Sequence, residues 1–274
     1  MLIVDTHAHI YAADEKRYPT IEKPLRPPGN KGTLGQLREE SAANGVAKAC
    51  LIQTSTFYRF DNRYILDSSK VSSDWAAGVV TLDPENPESP NLLARYARDF
   101  GIRGMRSIPA AKAGKLDHPG VRGLWRTATD NGLVINVLVG RERTAEVDKL
   151  LGDFPRLRVV LDHCMNLKAG PDGEPILADV RRLARHKNLH AKLTFVPTGS
   201  ETGYPCADMH QRCLDVIEAY GPERCVWGSD FPCELWTPKV SYKEHLRIFT
   251  HDLGLSQAKQ QAILGETARR LWFA

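Results

Sequence analysis

No stretch of this chain is apolar for long enough to span a bilayer; even the near-continuous run Leu133 to Gly140 falls far short of the roughly 20 residues a spanning helix needs. No basic region precedes Asp5, so a secretory signal peptide is not expected either. Paired thiols are also missing. The six cysteines (Cys50, Cys164, Cys206, Cys213, Cys225, Cys233) form no C-x-x-C, and Cys50, Cys164 and Cys225 lie in or beside apolar strand patterns. We read them as reduced, mostly buried thiols of a cytoplasmic protein. A strong charge of one sign is lacking as well: the formal net charge is +4, the pI is near 8.7, and Lys and Arg are scattered. That excludes a nucleic-acid surface and leaves room for a small anionic substrate. Nothing here fixes the assembly beyond a monomer or small homo-oligomer.

What is present is an ordinary globular composition, 42% hydrophobic and 26% charged over 274 residues, enough for one barrel or two small domains. Strand-like and helix-like patterns alternate along it. The strands read as Leu2–Ile10, Lys48–Ser55, Trp75–Asp83, Gly101–Ile108, Leu133–Gly140, Leu157–Cys164, Leu189–Phe195 and Cys225–Pro232. Between them, helical patterns cover Thr33–Asn44 (stopped by Gly45), Arg63–Ser69, Asn91–Asp99, His118–Asn131, Thr144–Asp153, Ile176–His186 and Ala207–Tyr220. Two more, Tyr242–Leu253 and a helix capped by Ser256 and running to Leu271, close the chain. Eight strands each followed by a helix predict an α/β fold, a single (β/α)8 barrel spanning residues 1–274 as one domain. The Pro-rich segment Tyr11 to Gly32 is too irregular for either pattern and reads as a loop at the active rim, a candidate lid.

The first strand ends in Asp5, His7 and His9. Strict alternation puts these three on one face, with the histidines at the carboxyl end where such barrels hold their chemistry. An H-x-H arises by chance in roughly one chain of three with this composition, so its weight comes from its position and from what the other strands supply. Strand two ends in Gln53 and Ser55, strand four carries Arg103 and Arg106, strand six Asp162 and His163, strand seven Lys192 and strand eight Asp230. Competing structural readings exist for several: Asp230 as a helix cap, Lys192 as an internal ion-pair partner of Asp5 or Asp162, and Gln53 and Ser55 as loop supports.

The D-x-H-x-H opening, the D-H closing strand six and the W-G-S-D-F-P of strand eight resemble the amidohydrolase superfamily. RYP at Arg17–Pro19, IQTS with DNRYILD, GIRGMR, AGPDG and AKLT resemble its lactonase branch, which includes 2-pyrone-4,6-dicarboxylate lactonase. The resemblance implies a barrel hydrolase in which Asp230 activates water and His7, His9 and His163 polarise a lactone carbonyl. It further implies that Tyr18, Ser55 and Arg106 help hold substrate; Gln53 and Lys192 join them from their strand positions.

Binuclear members of that superfamily use an acid on strand four and a His on strand five, where this chain has Arg106 and Asn136. A two-metal centre therefore lacks ligands. One zinc on His7, His9, His163 and Asp230 is the alternative to the expected metal-free, cofactor-free lactonase, since Arg106 and Lys192 facing the same cavity would repel a cation. The pyrone enzyme gathers several arginines around two carboxylates; here Asn166 and the Arg-free segment Val196 to Gly199 stand instead, which points to a substrate with one carboxylate or with hydroxyls. Lys112, Arg59 and Arg63 are the loop cations that would restore a binding charge. A zinc-dependent amidohydrolase or decarboxylase is the rival enzyme class, and a non-catalytic binding barrel is the rival outside enzymes; the latter would have no use for Asp230 opposite three histidines.

Overall fold

Apolar and β-branched residues run almost unbroken through the strand segments, as buried parallel strands require, and in the computed structural model, which describes residues 1–274, all eight join one sheet. The strands are β1 (Val4–His9), β2 (Lys48–Ile52), β3 (Ala76–Thr81), β4 (Gly104–Ser107), β5 (Val134–Val137), β6 (Val159–Leu161), β7 (Leu189–Lys192) and β8 (Cys225–Val226). They are parallel and ordered as in sequence. The sheet closes on itself beyond β8. Thr6 N donates to the Trp227 carbonyl at 3.1 Å, His9 N to that of Phe231 at 2.8 Å, and Asp230 N to that of His7 at 2.8 Å. The result is the expected (β/α)8 barrel.

Alternation sorts each strand into two apolar layers. Val4, Cys50, Ile52, Val79, Val134, Val160 and Val226 fill the interior, and the last helix, Thr267–Trp272, plugs that layer from below with Ala268, Leu271 and Trp272. Leu51, Val80, Met105, Ile135, Val159 and Leu161 belong to the larger core between strands and helices. Above the valine layer the interior turns polar. His7, His9, Arg106, Asn136, Asp162, Lys192 and Asp230 are all buried there or at its rim.

The helices follow their local signals. Thr33 and Gln36 form a reciprocal capping box ahead of Leu34–Ala43, and Gly45 ends that turn at φ +71°. Thr144–Asp153 and Ala207–Tyr220 coincide with their sequence patterns. Short helices at Ser55–Tyr58, Phe195–Gly199 and Cys233–Trp236 are too short to show a helical period; the first two begin at Ser55 and Phe195, the expected last residues of strands two and seven, which end instead at Ile52 and Lys192. β6 stops before the expected Cys164 because residues 162 to 164 leave the strand in a tight turn. No helix is long and apolar enough to cross a membrane, and all six cysteines are free and buried.

Candidate active site

The first strand does not keep strict alternation. Asp5 pairs with Ala49 while Ala8 pairs with Leu51, so three residues of β1 answer two of β2, and a bulge lies between them. The bulge corrects the expectation that Asp5 shares a face with the histidines. Asp5 turns toward the helical layer and accepts from His7 N (3.0 Å), Ser229 N (2.9 Å), Ser229 Oγ (2.6 Å) and Tyr242 OH (3.1 Å). It is a structural clamp joining β1 to the segment after β8. His7 and His9 are thereby both aimed into the barrel mouth.

Behind His7 lies a buried charge cluster. Asp162 accepts from Lys192 Nζ at 2.8 Å and from Arg106 Nε at 3.1 Å, with all three side chains at most 5% exposed. The two cations also hold its carboxyl below the ordinary range against the opposing effect of burial, which is the largest single influence on it. Both cations reach on to His7: Arg106 Nη2 stands 2.7 Å from its Nε2 and Lys192 Nζ 3.2 Å from its Nδ1. Burial first, then these cations, push His7 well below the usual histidine range, so it is neutral. With two cations on one carboxylate, the cluster leaves positive charge directly behind the cavity.

His9 Nδ1 is 3.0 Å from the Ile52 carbonyl, which can only accept. The proton of neutral His9 is therefore on Nδ1, and its Nε2 presents a lone pair. His163 Nδ1 pairs with the Thr194 hydroxyl at 2.8 Å, and burial lowers its pKa to about 3. Asp230 faces all three rings: Oδ1 lies 3.4 Å from His7 Nε2 and 3.6 Å from His9 Nε2, and Oδ2 3.9 Å from His163 Nδ1. Burial raises its pKa to about 7. A carboxylate poised at neutral pH among neutral imidazoles is suited to general base work.

Two strained segments deliver these side chains. His163, Cys164, Met165 and Asn166 all have left-handed backbones (φ 51°, 46°, 60° and 56°) without a glycine among them. Each such residue costs about 1–2 kcal/mol, so the turn stores strain on the order of several kcal/mol, offset by the burial of Cys164 and Met165. Asp230 is left-handed too, at φ 58°. Strain of this kind concentrates where a side chain must be aimed.

A cavity of about 580 Å³ opens above the rings. Beside His9, Arg106, His163 and Asp230 it is lined by Thr54, Ser55, Thr56, Glu142, Asn166, Thr198 and Trp236, among others. Of the expected substrate-binding residues, Ser55 and Arg106 line it. Lys192 is fully buried beneath His7 and does not. Gln53 donates to the Arg59 and Asp61 carbonyls and supports that loop. Tyr18 is not brought to the cavity: its hydroxyl donates to Asp67 at 2.7 Å, in a surface hollow with Arg17 and Arg63. Nor does any residue of the 11–32 loop line it, because Ile21 N and Leu25 N bond to the Phe57 and Thr56 carbonyls and lay the loop against Ser55–Tyr58. Lys112, Arg59 and Arg63 also lie off the cavity lining, and Arg103 is exposed just ahead of β4.

Sequence reasoning overlooked Thr194, Glu142 and Trp236. Thr194 had a signal in its place two residues after Lys192; Trp236, whose ring lies 5.7 Å from that of His9, had one in being an aromatic just past the last strand. Glu142 had none.

The atoms His7 Nε2, His9 Nε2 and Asp230 Oδ1 stand 3.3, 3.4 and 3.6 Å apart. Ligands of a tetrahedral zinc at 2.0–2.1 Å would stand about 3.3 Å apart, so the spacing fits. The charge does not: the guanidinium of Arg106, which cannot be deprotonated, occupies the face of His7 Nε2 that a metal would need.

A family model for amidohydrolases matches residues 4–274. The chain is 26% identical to an L-fucono-1,5-lactonase of Burkholderia ambifaria over 236 residues, 84% of this chain and 80% of that one. It is 24% identical to a 2-pyrone-4,6-dicarboxylate hydrolase of Comamonas testosteroni over 248 residues, 84% of this chain and 76% of that one. Among solved structures, a zinc-bound amidohydrolase from Burkholderia multivorans superposes with a TM-score of 0.80 at 23% identity, covering 99% of each chain.

Proposed function

The chain belongs to the amidohydrolase family, matched over nearly its whole length, and from that premise we propose that it hydrolyses a lactone with Asp230 as general base and no metal ion. The observation that carries this reading is the single ionisable carboxylate, poised near neutrality, that faces three neutral imidazoles across the floor of the cavity. Curated relatives named for lactone hydrolysis support the same reaction class.

Asp230 takes a proton from water, the resulting hydroxide attacks the lactone carbonyl, and the ester oxygen leaves with the proton that Asp230 returns. His9 cannot donate to the carbonyl, because its proton is committed to Ile52; its Nε2 instead accepts from the water and orients it. Donation to the carbonyl oxygen falls to His163 and Arg106, which line the cavity; His7 is buried behind them, its Nε2 met by Arg106 Nη2 at 2.7 Å. The charge that develops on that oxygen is met by the excess positive charge of the buried Arg106 and Lys192 over Asp162. No step is assigned to a metal, since Arg106 stands against one of its required ligands.

For the substrate, the lining favours hydroxyls over carboxylates. Arg106 is the only cation on the cavity wall, it is already paired with Asp162, and Glu142 adds a negative charge at the mouth. Thr54, Ser55, Thr56, Thr198 and Asn166 offer donors and acceptors, and Trp236 an apolar plane. A sugar-derived lactone fits that lining better than the carboxylated class. Purified protein assayed on neutral sugar lactones and on carboxylated lactones tests both parts: turnover confined to carboxylated substrates would reverse the choice of class, and no turnover of any lactone would remove the reaction. A mononuclear zinc enzyme is the second reading, favoured by the spacing of His7, His9 and Asp230.

A further inference from the structure

The turn that follows β5 reads Gly140-Arg141-Glu142-Arg143, with two arginines flanking the one acid. Both arginines turn away from the cavity. Arg141 Nε bonds Asp179 at 2.8 Å and the Pro175 carbonyl at 3.2 Å, Arg143 Nη1 bonds Glu146 at 2.9 Å, and neither side chain lines the cavity. Glu142 is left on the wall with no cation in hydrogen-bonding reach, the nearest being Arg143 Nε at 3.9 Å. Its carboxylate folds back over Gly140, another wall residue, so closely that a Cβ added there would collide with it. The same fold-back recurs between Gly221 and Glu223, in the turn that enters β8 at the opposite end of the barrel. The local turn therefore holds such a carboxylate in place without help from a cation, and what distinguishes Glu142 is that its turn stands at the cavity mouth.

We infer that Glu142 is a specificity-determining residue, which accepts hydrogen bonds from the hydroxyls of a bound ligand and turns away ligands that carry a carboxylate of their own. An ionised carboxylate offers acceptors only, so with no donor from the protein it is satisfied by water or by ligand hydroxyls. Against an anion the same charge is repulsive, and selectivity follows from the repulsion as much as from the attraction. Nothing on the wall cancels it: Asp230 is a second carboxylate, and Arg106, the one cation there, is engaged by Asp162. Hydrolysis converts a neutral lactone into a hydroxy acid, so the group that admits the substrate also weakens the hold on the product. The Glu142 side chain is 67% exposed, and water and salt screen it, which sets the discrimination at about 10-fold at low ionic strength.

The choice of ligands rests on the lactonase reading, but the test needs no turnover. Calorimetric titration at low salt compares a neutral polyhydroxylated lactam with the hydroxy acid of the same carbon chain. The wild type should bind the lactam about 10-fold more tightly than the acid. Glu142→Gln keeps the size and one acceptor and loses the charge; it should tighten the acid by about 5-fold to 10-fold, weaken the lactam by no more than about threefold, and lose most of the first effect in about 0.5 M salt. Glu223→Gln makes the same change of net charge at the far end of the barrel and should alter neither ligand. On lactones that the wild type opens, Glu142→Gln should raise the ratio of kcat/KM for carboxylated over neutral substrates by a similar factor. A wild type that binds neither ligand or binds the acid as tightly as the lactam, a ratio unchanged in Glu142→Gln, or an equal shift in Glu223→Gln would overturn the assignment. If the ratio shifts as expected but no lactone is opened, the functional reading falls while the role of Glu142 stands.

Discussion

Replacing Asp230 by asparagine should make the protein more stable while disabling it, and the size of the gain should depend on pH. In the folded chain burial holds the Asp230 carboxyl at about 7, against an ordinary 3.8 in the unfolded chain. Between those values the folded state binds more protons than the unfolded one, so this residue's contribution falls as pH rises. Its cost is absent below about pH 4 and fully present above about pH 7, where it amounts to about 4 kcal/mol. An asparagine side chain has the same shape and no charge to bury. Asp230→Asn should therefore gain about 4 kcal/mol at pH 8, which for a chain of this length is a rise in Tm of about 7 °C, shrinking to about zero near pH 4. Thermal melts of both proteins by calorimetry from pH 4 to pH 8 measure the difference directly. A variant no more stable than wild type at pH 8, or a gain that does not change with pH, would show that Asp230 is not held proton-bound by its surroundings.

Other outcomes follow from the same geometry. Arg106→Lys should lower kcat/KM about equally for neutral and carboxylated lactones, because Arg106 serves Asp162 and His7; a loss confined to carboxylated substrates would restore it as an anion clamp. Trp272→Ala should cost about 3–5 kcal/mol by opening a cavity under the valine layer, and an unchanged Tm would mean that the plug is not part of the core. Dialysis against a strong chelator should leave lactone hydrolysis intact in protein holding well under one metal ion per chain. Activity restored in proportion to added zinc would instead favour the mononuclear zinc reading.

The barrel was legible because each strand is short, apolar and followed by a helix with its own cap or stop, as Thr33 and Gly45 show for the first. The rim groups were legible for a related reason: His7, His9, Arg106, His163 and Asp230 are polar residues set where an apolar run ends. What escaped reading depends on backbone that departs from its ideal period. The bulge in β1 has no glycine or proline to mark it, so period two wrongly placed Asp5 with the histidines. The left-handed run from His163 to Asn166 is equally unmarked, since residues with side chains rarely adopt it. Lys192 could be recognised as part of an ion pair, but the choice of Asp162 as its partner is made by neighbouring strands that only closure brings together. Tyr18 rests on the resemblance alone as a substrate contact, and Asp67, distant in sequence, takes its hydroxyl instead.

The most direct test of lactone hydrolysis by a carboxylate base is the pH dependence of kcat/KM on a neutral sugar lactone. Asp230 must be ionised to act, and burial keeps its three histidine neighbours neutral throughout the accessible range. The rate should rise with pH through a single ionisation near 7 and level off above it, with no step from histidine between pH 5 and about pH 9, and Asp230→Asn should lie at least about 100-fold lower at pH 8. A wild-type profile that is flat across neutrality, together with near-normal turnover by Asp230→Asn, would contradict the assignment of Asp230 as the base.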